Sequence, residues 1–365
     1  MKLRKIGVSL IFLMFFTAAI CFREEVAAAI LEAGTRCILV IIPSLYLFSV
    51  LAAFCVRSGV LGILASPLEQ LARKCLHMDG SILMILLFSQ TAGYPIGAQL
   101  LQRMHNEGAI GSTQRNCLLC VCFGCGPAFL LGTVGTILHL SSLLAVLLVL
   151  SVSLPNLVLA IVLARYNDFC SAGTHELGIS LHAEEFTQSV ENAAAAMLKI
   201  CSMILTFAAF SGIAQGSGAV QFLAKTMQLI GFPAETSEHC ILTVLEISNL
   251  PEYLQQGGSL PMAAALLSFG GICVHLQNAA ICGGDFPWRK FLCIRLISAV
   301  FSYLLCAAVV TWGLGGQVPA MLPVQMQYEM KMTTQGVVPV ICLLLMSVFL
   351  LMKNDALYSL KKIRK

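Results

Sequence analysis

The residues best suited to chemistry gather at two interruptions in apolar sequence. The first is Gln90-Thr91-Ala92-Gly93-Tyr94-Pro95 and the second is Ser248-Asn249-Leu250-Pro251, with Glu246 just before it. Glycine and proline suit such breaks for backbone geometry alone. Gln90, Thr91, Gly93 and Tyr94 at the first, and Glu246, Ser248 and Asn249 at the second, are the expected substrate-binding groups. Glu246 stands in the apolar run from Cys240 to Leu250. A carboxyl group at membrane depth is costly and points to function. Contact with substrate or proton coupling is one reading. A carboxylate at a segment mouth, solvated or capping backbone, is the other.

Gln277 and Asn278 extend the set, and His275 shares a helix face with Asn278. They either line a cavity or bond between helices. Lys199 either pairs with a substrate carboxylate or snorkels to the interface. Asn192 reads as a helix cap. Cys117, Cys120, Cys122 and Cys125 would spread over more than half of a helix circumference at about 100° per residue. Burial as small apolar side chains is therefore preferred over a metal site. No cofactor or metal is expected.

Composition sets the solvent for these groups. Of 365 residues, 58% are hydrophobic and only 11% charged, with a mean hydropathy of +0.87. Soluble domains carry about 25% charged residues, so a soluble fold could not cover its surface. The net charge of +4 forms no basic stripe, which excludes nucleic acid as a partner. The 16 cysteines are spread through apolar runs rather than set as a disulfide framework. A polytopic all-α protein of the lipid bilayer remains.

A spanning helix needs about 20 mostly apolar residues. Stretches 6–22, 37–56, 117–137, 140–164, 192–215, 259–282, 290–313 and 335–352 qualify, giving about eight transmembrane helices. Residues 81–103 and 238–256 contain the two breaks, and their arms are too short to cross separately. Both read as re-entrant hairpins, each following an amphipathic stretch (60–76 and 217–231) suited to the interface. Basic residues at both ends of the chain place both termini in the cytoplasm of a multi-pass cell-membrane protein. The first helix reads as an uncleaved anchor, with a signal peptide as the alternative.

The two halves repeat weak signals in the same order. Ser58-Gly59 matches Ser217-Gly218, Tyr94-Pro95 matches Leu250-Pro251, and Phe123-Gly124-Cys125-Gly126 matches Phe269-Gly270-Gly271-Ile272. Three spans per unit would invert the second unit, as in many secondary transporters. The expected division is a first helix (1–30), a first repeat (31–165), a cytoplasmic linker (166–190), a second repeat (191–313), and an outer loop, last helix and basic tail (314–365).

Three segments carry a family resemblance: PSLYLFSVL (43–51), SQTAGYPIGAQLL (89–101) and LSFGGICVHLQNA (267–279). They resemble the YlbJ-type sporulation integral membrane proteins of the nucleoside-recognition, or Gate-domain, family. Ser89-Gln90-Thr91 is also similar to a hairpin tip of concentrative nucleoside transporters, although Ala92 stands where those carry an acid. The resemblance implies a Gate-like inverted repeat and movement of dipicolinic acid during endospore formation, in a mother-cell or outer forespore membrane. The expected function is secondary transport of a small organic anion by alternating access, not enzymatic catalysis. Proton or sodium coupling and a homo-oligomer both stay open. The alternatives are a nucleoside or other organic-solute carrier, and a non-transporting gate or scaffold subunit of a sporulation complex.

Overall fold

The structure is a computed structural model that describes residues 2–131, 134, 142–167, 169, 181–229 and 231–313. The span expected at 335–352, the rest of 314–365 and residues 170–180 of the linker lie outside the described residues. Among those described, every extended element is a helix.

Helix α1 (Lys2–Cys21) leads into α2 (Arg23–Arg57), which widens to a π segment over Cys37–Ile41. The Ser58-Gly59 turn feeds α3 (Val60–Ala65) and further helical turns to Leu76. Then come α4 (Gly80–Ala92), α5 (Ile96–Asn106), α6 (Ser112–Leu119), α7 (Pro127–Leu130) and α8 (Ser142–Tyr166). The second half contains α9 (Ala183–Gly216), α10 (Ala219–Leu229), α11 (Ala234–Leu245) and α12 (Leu250–Gln255). It closes with α13 (Leu260–Phe269), α14 (Gly271–Cys282) and α15 (Trp288–Gly313).

Five stretches are long and apolar enough to cross a bilayer: α2, α8, α9, α13 with α14, and α15. Their patterning is that of an all-α membrane protein. On α15, Leu296, Val300 and Phe301 are more than half exposed, whereas Arg295, Ser298 and Ser302 are fully buried. Apolar outside and polar inside fits a hydrocarbon surround, because in water the same helix would bury its leucines.

The chain reverses at each interruption. In a continuous helix Ser89 and Gly97 would stand about 12 Å apart along the axis. Instead a Cβ built on Gly97 would lie 2.8 Å from the Ser89 Cβ, so α5 folds back on α4 at Gly93-Tyr94-Pro95. In the second, Asn249 Nδ2 reaches back to the Leu242 carbonyl at 3.0 Å. Pro251 and Pro261 stand in the first turns of α12 and α13, where a missing N–H costs nothing.

Several sequence expectations need correction. Stretch 117–137 is not one helix, because α6 ends at Leu119 and the chain runs irregularly over 120–126 before α7. Two glycines let that backbone pack directly on the first hairpin. Stretch 259–282 breaks at Gly270, whose φ of 86° is left-handed. The boundary expected at residues 30 and 31 falls inside α2. Helix α9 starts at Ala183 within the expected linker, with Glu184 and Glu185 in its first turn, where the helix dipole favours acids. Asn192 therefore lies inside α9 and caps nothing.

Packing at Gly97 gives a direct test. Gly97→Val places a side chain against Ser89 and the Cys122 carbonyl, so a loss of about 3 kcal/mol or more is expected. Gly62→Ala, which meets nothing within 4 Å, is expected to hold or gain stability by about 0.5 kcal/mol. Thermal unfolding of the detergent-solubilised chain separates the two.

Candidate functional site

Four irregular segments meet at the centre, two hairpin tips and two breaks in the helices that follow them. A Cβ on Gly126 would lie 3.1 Å from the Gly93 nitrogen and 3.2 Å from the Thr91 carbonyl oxygen. One on Gly271 would lie 3.1 Å from the Ile247 nitrogen. Each hairpin tip thus rests close against the backbone of a neighbouring break, and φ of 73° and 75° favours glycine at both positions. The halves join where Tyr94 Oη donates to the Leu267 carbonyl at 3.2 Å and Gly270 abuts the Phe123 ring.

Between them opens a small, partly open cleft. Tyr94 lines it from the first tip, Cys125 and Phe129 from the break that follows, and Glu246, Ile247 and Ser248 from the second tip. Ile41 and Leu45 of α2, Ile200 and Ile204 of α9, and Val274 and Gln277 of α14 close it. Among the described residues lining the cleft, Glu246 alone carries an ionisable carboxyl group. It is buried, and it accepts from the Ser248 N–H at 2.9 Å and from the Ser248 hydroxyl. It therefore caps the turn at Ile247–Asn249 while facing the cleft. The capping reading of Glu246 thus holds, and the same side chain lines the cleft. Gln277 donates from Nε2 to Cys273 Sγ at 3.4 Å.

Of the expected site residues, Tyr94, Glu246, Ser248 and Gln277 come together in this cleft. Gly93 lies buried beneath it, against Leu45 and the Cys125 carbonyl. The others do not line it. Thr91 is exposed and turns its hydroxyl back to the Leu87 and Phe88 carbonyls. Lys199 is exposed on α9, away from the cleft lining. Asn249 is taken up by Leu242 and by Arg36, whose Nη2 donates to its Oδ1 at 2.6 Å. Asn278 is buried, and its Oδ1 has no hydrogen-bond partner among the described residues. His275 bonds the Phe269 carbonyl at 2.7 Å, satisfying backbone freed by the break at Gly270.

Gln90 belongs to a different constellation. Asn156 Nδ2 donates to Gln90 Oε1 at 3.1 Å and to the Phe123 carbonyl at 2.7 Å. Asn156 Oδ1 accepts from Arg295 Nη2 at 2.9 Å and from Ser298 at 3.0 Å. Arg295 also donates to the Cys120 carbonyl and, at 3.4 Å, to that of Ser268. Its guanidinium lies 4.8 Å from the centre of the Phe123 ring, a favourable cation–π contact. Sequence reading missed Asn156 and Arg295. The rule that singled out Glu246 applies equally to an arginine about one and a half turns inside the apolar stretch 290–313.

No family model, curated protein or solved structure matches this chain. The geometry therefore stands by itself.

Asn156→Ala would strip donors from Gln90 and Phe123 and an acceptor from Arg295. A loss of about 2–4 kcal/mol is expected, because buried polar groups are left unpaired. Arg295→Met is expected to fall in the same range, and Thr91→Ala to stay within about 0.5 kcal/mol. Thermal unfolding reads all three.

Proposed function

We propose that the chain is a multi-pass secondary transporter of a small organic solute, with the cleft between the two hairpin tips as its binding site. The observation that carries this reading is the cleft itself: a buried carboxylate, an aromatic ring and two small polar groups set where four backbone breaks converge. Unwound backbone at membrane depth is tolerated where it is buried or lines a polar cavity, and broken helices at a central site are the transporter arrangement. In this reading the hairpins are re-entrant and enter from opposite faces of an inverted repeat, and both termini are cytoplasmic. The repeat is supported by paired local features. Gly59 and Gly218 follow long helices with φ of 75° and 76°. A hairpin and a glycine-broken helix come next in each half.

The resemblance to YlbJ-type proteins makes dipicolinate the first cargo to test. It is a planar aromatic dicarboxylate, and Tyr94 and the isoleucines offer it apolar faces. Its charge would oppose an ionised Glu246, so the reading requires a proton on Glu246 during passage, that is, coupled movement of anion and proton. A neutral nucleoside is the second reading, favoured by that same carboxylate and by the amide of Gln277. The site is assigned no catalytic chemistry. A passive scaffold would leave the cleft without a purpose.

Flux of labelled dipicolinate and of labelled uridine into proteoliposomes, with and without an imposed proton gradient, tests the proposal. Saturable dipicolinate flux that rises with an inward proton gradient is expected, and Glu246→Gln is expected to abolish the gradient dependence. Tyr94→Ala should cut flux about tenfold or more, as loss of a buried ring contact would. Thr91→Ala and Lys199→Gln should stay within about twofold. Uridine flux alone would move the chain to nucleoside transport. No flux of either cargo from folded protein would refute both readings.

A further inference from the structure

Arg36 is a charged residue within the long helix α2, and it holds the second hairpin by two of its nitrogens. Nη1 donates to Glu252 Oε1 at 2.7 Å and Nη2 to Asn249 Oδ1 at 2.6 Å. The two partners flank the start of α12, directly after the Glu246–Ser248 wall of the cleft. The same Nη1 lies 2.9 Å from Glu32, one turn back on α2. Glu32 is 58% exposed, whereas the Arg36 and Glu252 side chains are 14% and 28% exposed.

We propose that Arg36 is the latch of the second hairpin, a positioning residue whose bridge to Glu252 and Asn249 keeps that tip closed over the cleft. This deepens the transport reading and rests on it for its purpose. Three observations give the latch the properties a reversible gate needs. First, the bridge is incomplete: among the described residues, Arg36 Nε and Glu252 Oε2 have no hydrogen-bond partner. A partly buried pair whose remaining hydrogen bonds are unmet recovers less of its desolvation cost than a fully satisfied one. Second, Glu32, the more exposed partner, already bonds the same Nη1 from α2, so the guanidinium keeps a carboxylate when the tip leaves. Third, the π segment Cys37–Ile41 begins at the next residue and carries Ile41 into the cleft wall. A π segment is a local departure from the helical ladder that often marks functional sites. It provides a place where α2 can adjust as the tip moves. The first hairpin has no comparable release, since Gln90 is tied into the buried Asn156 and Arg295 network.

Hydrogen–deuterium exchange of the full chain in lipid nanodiscs, without any cargo, tests the latch. E252Q removes the charge with little change of shape, and R36K keeps the charge but loses the two-pronged grip. Both are expected to speed exchange at residues 246–255 about tenfold or more, the range for loss of a hydrogen bond to a charged group. Residues 80–106 should keep their wild-type rate, and E32Q should leave 246–255 within twofold. Unchanged exchange at 246–255 in both variants would overturn the latch, as would an equal rise over 80–106, which marks general destabilisation. Because the measurement needs no cargo, local opening alongside absent flux would sink the transport reading and leave the latch standing. Flux without local opening would do the reverse.

Discussion

The interaction on which the rest depends is the hold of Arg295 and Asn156 on broken backbone. A helix interrupted inside a bilayer frees carbonyl and N–H groups that hydrocarbon cannot satisfy. Here the carbonyls of Cys120 and Phe123, beside one break, and of Ser268, beside the other, accept from these two side chains. One guanidinium thereby joins both halves. Burying it carries a large desolvation cost. Carbonyl and amide oxygens and the face of Phe123 offset part of that cost without a carboxylate among its hydrogen-bond partners. The break geometry and the buried cation are each too costly to stand separately.

From that hub a chain of rings leads to the cleft. Phe123 stacks within 4.7 Å of Tyr94 by ring centroids, and Tyr94 forms part of the cleft wall. His275 and Phe291 pack on the other sides of Phe123, at 5.9 and 5.6 Å. Arg295 thus contacts the Phe123 ring, and Tyr94 beside that ring lines the cleft together with Glu246. Shape is set from the hub side and chemistry from the cleft side, so a change at Phe123 would be felt in both.

The two hairpins are anchored by different physics. The first is held by close packing at Gly97, Gly124 and Gly126 and by buried amide hydrogen bonds, all deep in the protein. The second is held at its tip by the charged bridge to Arg36, which is only partly buried. Packing of backbone on backbone does not open in small steps, because interiors are close-packed. A partly buried charged bridge can open by losing a few hydrogen bonds without repacking a core. This asymmetry makes the second hairpin the mobile one in the proposed transport cycle.

The sequence by itself determined the solvent, the helical class and the location of the breaks. Low charge and long apolar runs leave a membrane as the only surround. Gly93 and Pro95 in the first half and Pro251 in the second mark the breaks from sequence, because their effect is local to the backbone. The matched Phe-Gly runs at 123 and 269 also marked the later breaks, although their stretches read as unbroken spans. Hydropathy counts apolar residues and is blind to a break made by small ones. Glu246, Tyr94, Ser248 and Gln277, which line the cleft, were legible as candidates because they lie at or near breaks that the sequence marks. Only the tertiary structure decided that Thr91 and Lys199 face away from the cleft, that Gln90 serves Asn156, and that Asn249 serves Arg36. Those choices depend on partners 66 to 213 residues distant, and no local pattern encodes which of two polar neighbours a side chain will meet.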